Sequence, residues 1–163
     1  MRKTWMALAF TLLALPAERA SAQAPAVAVL PFQSGGAFAR GGVDTRAMER
    51  DLASALSREL ASRGVGRPVS EADLQRALDG VSLGSEGRMD AGSAAKVGAA
   101  LGATHVLAGT FMDHFGKIRL DARVVEVKSG RVVKTVSAGP GDRSEMPGMV
   151  GQLADQVKAA VGG

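Results

Sequence analysis

The sequence predicts a single α/β domain in which a mixed sheet of about five strands is combined with about four helices, in the order β-α-β-α-α-β-β-β-α. Three observations carry that expectation. From Leu101 to Val136, short β-branched runs alternate with period two and are separated by Phe115-Gly116-Lys117 and by Ser129-Gly130. This is the pattern of three antiparallel strands joined by two hairpins. Near the start, Ala26-Val27-Ala28-Val29-Leu30-Pro31-Phe32 is a nearly unbroken apolar run, which fits a strand buried on both faces and centrally placed among parallel neighbours. The segments between and after these carry apolar stripes of helical period, opened by capping residues.

The length of 163 residues suits one domain. Its first 22 residues stand apart: Arg2 and Lys3, the apolar run Trp5 to Leu15, Pro16, then Ala20-Ser21-Ala22 before Gln23. A basic start, a short apolar centre and small residues before the cut make a secretory signal peptide over residues 1–22, and the run is shorter than the ~20 residues that span a bilayer. The expected exported domain is residues 23–163, with no integral membrane segment after cleavage. Cleavage leaves 17 basic and 15 acidic residues, a net charge of +2. These are interleaved and form no basic stripe along which a phosphate backbone would run, so no nucleic-acid partner is expected. There is no cysteine, which removes disulfides, thiol chemistry, thiolate metal sites and the residue on which a bacterial lipoprotein is acylated.

Taken in order, Pro31 lacks a ladder donor and should end regular pairing of the first strand. Gln33 to Val43, with four glycines and Phe38, reads as a loop. Asp44 can cap a helix with Met48, Leu52, Ala55, Leu56 and Leu60 on one stripe, stopped by Gly64. Val65 to Val69 reads as a short edge strand interrupted by Pro68. Ser70-Glu71-Ala72-Asp73 has the form of a capping box, with Val69 and Leu74 placed as a hydrophobic staple for a helix that Gly80 closes. Asp90 can cap a third helix whose face of Ala94, Val97, Gly98 and Leu101 is small enough to approach the sheet closely. In the second strand of the meander, Ile118, Leu120, Ala122 and Val124 alternate with Arg119, Asp121 and Arg123, giving one buried face and one wet face. The consecutive Val124-Val125 suggests a bulge. Pro147 begins a last helix with Val150, Leu153, Val157, Ala160 and Val161 on its apolar stripe.

Signals for chemistry are sparse. Neither G-x-G-x-x-G nor G-x-x-x-x-G-K-[ST] follows the first strand. Gly80-Val81-Ser82-Leu83-Gly84 is a literal G-x-S-x-G, but it follows a helix, whereas a nucleophile elbow needs a strand leading into it. With 21 glycines in the chain, such a match has little weight. His105 and His114 are the only histidines, too few to converge on a metal without cysteine. The expectation is therefore no catalytic residue, no cofactor and no metal. Phe111 and Phe115 lie four apart along a strand and its hairpin, suited to core filling or to a contact patch at the tip.

Three stretches together carry a family resemblance: Val29-Leu30-Pro31-Phe32, Leu101-Gly102-Ala103-Thr104-His105-Val106-Leu107-Ala108-Gly109, and Arg123-Val124-Val125-Glu126-Val127-Lys128-Ser129-Gly130-Arg131-Val132-Val133. Their order and spacing resemble the soluble domain shared by the curli secretion channel CsgG, the Lpo-type activators of penicillin-binding proteins and the amino-terminal domain of TolB. The resemblance implies a periplasmic, non-enzymatic protein of the cell envelope that binds a protein partner as an adaptor. The alternative it implies is a ring-forming, homo-oligomeric subunit of an envelope secretion or assembly apparatus; a small hydrolase using Ser82 is a third reading. The chain departs from these relatives in having no cysteine to acylate, no extra strands for a transmembrane barrel and no following β-propeller. No site residue transfers, because what matches is scaffold. From the residues themselves, the expected partner contact is the hairpin tip of Asp113, His114, Phe115 and Lys117, where an aromatic and charges of both signs share a rigid support.

Overall fold

The computed structural model describes residues 26–35, 45–81 and 89–162. The signal segment, the Asp44 cap, most of the glycine-rich loop and the G-x-S-x-G around Ser82 lie outside the described residues. Within them the fold is a single α/β domain: β1 (Val27–Val29), β2 (Gln33–Ser34), α1 (Thr45–Ser62), α2 (Glu71–Asp79), α3 (Ala91–Ala100), β3 (His105–His114), β4 (Lys117–Glu126), β5 (Arg131–Gly141) and α4 (Met146–Val161), the last preceded by a 3-10 turn at Arg143–Glu145.

The sheet runs β1-β3-β4-β5, with β2 also paired to β3. β1 and β2 are parallel to β3, and the meander is antiparallel. β1 and β2 are two pieces of one edge, interrupted where Pro31 has no N–H to give. The last bond before the break runs from the Leu30 N–H to the Leu107 carbonyl at 2.9 Å.

Two placements differ from the sequence reading. β1 is buried on both faces as expected, yet it lies at the edge and has one strand neighbour. Helices cover its faces, and the chain after α1 covers its rim. That chain is the stretch Val65–Val69, expected as a strand but reduced to one parallel bridge between Val27 and Gly66. The Val27 N–H donates to the Val65 carbonyl at 2.9 Å and the Arg67 N–H to the Val27 carbonyl at 3.3 Å. Pairing does not spread back toward the helix, because the Val65 N–H is spent with that of Gly66 on the Leu60 carbonyl, at 3.1 and 2.9 Å. The fifth strand is instead Gln33–Ser34, from the stretch read as loop.

The helices form two layers. α1 and α4 pack on one face through Leu56, Leu60, Leu153 and Val157 against Leu107 and Leu120. α2 and α3 pack on the other through Leu74, Ala94 and Val97 against Val106 and Val125. Both caps on this second side form as expected: the Ser70 hydroxyl accepts from the Asp73 N–H at 3.1 Å, and Asp90 Oδ1 accepts from the Ser93 N–H at 2.8 Å. Val69 packs in the same cluster as Leu74, as a staple should. The β4–β5 register shifts between Val124 and Val125, the site expected to bulge, and again between Ile118 and Leu120. β5 continues beyond Val136 to Gly141 and passes through Pro140, which an edge strand tolerates.

Candidate partner-binding surface

The β3–β4 register ends at His114 paired with Lys117, leaving Phe115 and Gly116 as a two-residue loop. Both residues have positive φ, 53° and 83°, the arrangement of a type I′ turn whose twist matches the strands it joins. Gly116 accepts that geometry at no cost. Phe115 does not, since a side chain in the left-handed region crowds its own carbonyl, at roughly 1–2 kcal/mol. The turn is locked from below by Asp113, whose Oδ1 accepts from the Gly116 N–H at 2.7 Å.

The two phenylalanines part company. Phe111 is fully buried in the α1/α4 layer, whereas Phe115 is 97% exposed. The only aromatic neighbour of Phe115 among the described residues is His114, whose ring meets it edge-on with centroids 4.8 Å apart. Of the four residues expected at the tip, Asp113 therefore shapes the turn while His114 and Phe115 form a projecting aromatic pair. Lys117 is turned back: its Nζ donates to Asp142 at 2.9 Å. That hydrogen bond raises its pKa, with the Asp142 charge adding to it. The bond ties the hairpin to the turn that leads into α4, where Glu145 Oε2 accepts from the Asp142 N–H at 2.7 Å. Sequence reasoning had no means of finding this pair, since 25 residues separate its members.

Below the tip, the sheet face shared with α2 and α3 is only partly covered. α3 seals the end at Val106 and Val125, and toward the hairpin Met112 stands opposite Arg119 and Thr110 opposite Asp121. Arg119 grips Asp121 through two bonds of 2.9 and 3.0 Å, which raise the Arg119 pKa. Arg123 donates to the Met89 carbonyl at 3.0 Å, tying β4 to the start of α3. The wet face read from the alternation in β4 is thus a self-paired charged surface next to the projecting aromatic.

The remaining candidates are structural in their contacts. His105 is half-buried, its Nδ1 lies 3.0 Å from Thr104 Oγ1, and burial lowers its pKa against the raising influence of Glu126. Thr104 accepts the Ala26 N–H at 2.9 Å and so pins the start of β1. No three of His, Cys, Asp and Glu among the described residues are grouped so as to hold a metal ion. No helix among the described residues is long and apolar enough to cross a membrane.

No protein-family model matches the chain, and no curated protein matches it. Solved structures do. The LpoB C-terminal domain from Salmonella enterica superposes with a TM-score of 0.53 over 74% of this chain and 84% of that one, at 19% identity. The corresponding domain from Escherichia coli gives 0.48 over 70% and 80% at 17% identity, and the NMR structure of E. coli LpoB gives 0.49 over 69% and 54% at 18%. At such identity the first of these is a likeness of fold. It falls on the Lpo-type branch of the resemblance and lends no support to the CsgG and TolB branches.

Proposed function

We propose that the chain is a non-enzymatic envelope protein, exported by cleavage after Ala22, that works in the periplasm as an adaptor of the Lpo kind by binding a penicillin-binding protein through its β3–β4 hairpin tip. The single observation that carries the binding site is Phe115. A type I′ turn is best served by Asn-Gly or Asp-Gly, and this chain places a large apolar ring there, at positive φ and 97% exposed. The ring forgoes about 1.5–3 kcal/mol of burial in addition to the backbone strain. A large apolar residue that strains its turn and gains nothing from burial at an ordered tip is explained by a contact made outside the molecule. The likeness of fold to an LpoB domain is consistent with that class of partner.

The test is capture of the periplasmic part of a penicillin-binding protein from the same organism, with the exported chain and with its Phe115→Ala form. Capture by the first and its loss in the second, at equal melting temperature, supports the reading. Equal capture by both removes the tip from the mechanism, and no capture by either removes the partner class. Sedimentation of the free chain as a monomer is expected; a stable ring would favour the assembly-subunit alternative.

A further inference from the structure

Among the described residues β5 is an edge strand, paired with β4 on one side only. Open edges invite pairing with any free strand, and stable proteins blunt them. At one position this chain does so directly: the Gln156 side chain accepts from the Ser137 N–H at 3.3 Å and donates to the Ser137 carbonyl at 2.9 Å. The amide stands in for one residue of a neighbouring strand. It also fixes the direction of the backbone, since residues two apart on a strand turn their N–H and C=O groups to the same edge. The groups of Thr135 therefore point outward with those of Ser137. Val133 is the residue that the shift from Val124↔Lys134 to Val125↔Val132 leaves without a partner in β4.

From Arg131 to Thr135 every residue of β5 is exposed, including Val132 at 41% and Val133 at 47%. The side chains of this stretch and of the turn before it supply the charge argument. Lys128, Arg131 and Lys134 lie within it, and no acidic residue occurs between Val127 and Gly141. None of the three cations forms a side-chain hydrogen bond or ion pair among the described residues, though Glu126 stands opposite Arg131 in the ladder. A cationic edge repels a second copy of itself, because antiparallel pairing about Val132 and Val133 would set Arg131 against Lys134 of the other copy. It does not repel an acidic strand. An edge guarded only against self-pairing would also have no need to expose two neighbouring valines.

We infer that the Arg131–Thr135 edge of β5 is a second docking surface, which takes an extended acidic segment of another protein as an added antiparallel or parallel strand. Backbone groups of Thr135 and of Val132, which the register shift sets opposite Val125, supply the ladder, the two valines supply apolar contact, and the three cations select against basic strands. This surface lies at the Glu126 end of β4, the opposite end of the sheet from Phe115, so its failure and failure of the tip reading are separately visible.

The experiment uses the isotopically labelled exported chain and three blocked six-residue peptides: alternating glutamate and valine, alternating lysine and valine, and the glutamate–valine sequence N-methylated at every residue. The first should slow amide exchange at Thr135 and Val132 by at least about tenfold and leave Gly116 unchanged. The lysine peptide should not, and neither should the N-methylated peptide, which carries the same charge but has no backbone donors. In the double variant Arg131→Glu, Lys134→Glu the preference between the first two peptides should invert. Absence of protection with the glutamate–valine peptide, equal protection by the lysine or N-methylated peptide, or protection that appears without peptide as the chain dimerises would each overturn the inference.

Discussion

Gly98 of α3 lies against Val106 of β3 with no room for a side chain between them: a Cβ built on Gly98 collides with Val106 Cγ2 and stands 2.6 Å from Val127 Cγ2. Two opposing effects meet at this position. Alanine is worth up to about 1 kcal/mol over glycine inside a helix, whereas forcing a methyl into a closed contact costs about 1–3 kcal/mol. The nearer obstructing atom belongs to a stiff, fully buried valine in β3, and the second to Val127 at the turn that follows β4, so the clash should win and Gly98→Ala should destabilise by about 1–3 kcal/mol. Gly148 in the first turn of α4 is the control. It is exposed, with nothing near the position of a Cβ, and Gly148→Ala should raise stability by up to about 1 kcal/mol. Urea unfolding of both variants checks the pair; a stabilising Gly98→Ala would mean that the helix sits farther from the sheet.

Leu107 and Arg119 test which side of the sheet is the core. Leu107 has no exposed surface and packs between β3 and the α1/α4 layer. Leu107→Ala should therefore cost about 2–5 kcal/mol, the range for truncating a buried leucine. Arg119 lies on the opposite face in a bidentate but solvent-exposed pair with Asp121, where such pairs contribute little. Arg119→Ala should leave the melting temperature within experimental error. Equal losses at the two positions would contradict the face assignment.

Acid should weaken the domain partly through Asp90. Its carboxylate accepts the Ser93 N–H and then the Ser93 hydroxyl, and these bonds, the backbone one first, hold its pKa below the ordinary 3.8. Asp155 is shifted the same way by the hydrogen bond from Arg63. A carboxylate with a depressed folded value contributes stability that is present above its unfolded value and is lost as pH falls through the folded one. The loss therefore belongs below about pH 4, and Asp90→Asn, which keeps a cap acceptor without the titration, should flatten the acid limb of melting temperature against pH. An unchanged limb in that variant would assign the acid sensitivity to other carboxylates.

Most elements were legible where their cause is local. The caps at Ser70 and Asp90, the bulge at Val124-Val125 and the close helix face around Gly98 all follow from residues within a turn or two of one another. What escaped depends on residues far apart in the chain. β1 owes its burial to helices and to Val65–Arg67, so burial on both faces did not mean a central position. The β3 backbone was available to pair Gln33 and Ser34, a gain that no local pattern announces. At the tip, turn geometry and exposure were open from sequence, and the bond from Lys117 to Asp142 was invisible. That bond also changes how the tip must be probed. Lys117→Glu would set a new carboxylate beside Asp142 and Glu145, so a loss of binding in that variant could not be separated from a loosened hairpin.

Export can be checked without any partner. Cleavage after Ala22 would remove Trp5, the only tryptophan, and the chain has no tyrosine. The exported species should begin at Gln23, carry no lipid and have almost no absorbance at 280 nm. Intact mass of the periplasmic fraction reads all of this, and a form retaining Met1 in the membrane fraction would contradict it.

Phe115→Asn separates a structural role from a binding one more sharply than truncation does. Asparagine tolerates the left-handed region and with Gly116 forms the favoured type I′ pair. The substitution removes the strain of about 1–2 kcal/mol that the aromatic imposes, and with the ring 97% exposed there is almost no burial to lose. The edge contact with His114 is the one interaction forfeited, worth at most about 0.5–1.5 kcal/mol for an aromatic pair and less at a site open to water. Stability should therefore stay level or rise by up to about 1 kcal/mol, while capture of the partner falls to background. A phenylalanine kept for the fold would behave in the opposite way, with lower stability and unchanged capture in the asparagine form. Calorimetry and partner capture on the same preparation decide between the two.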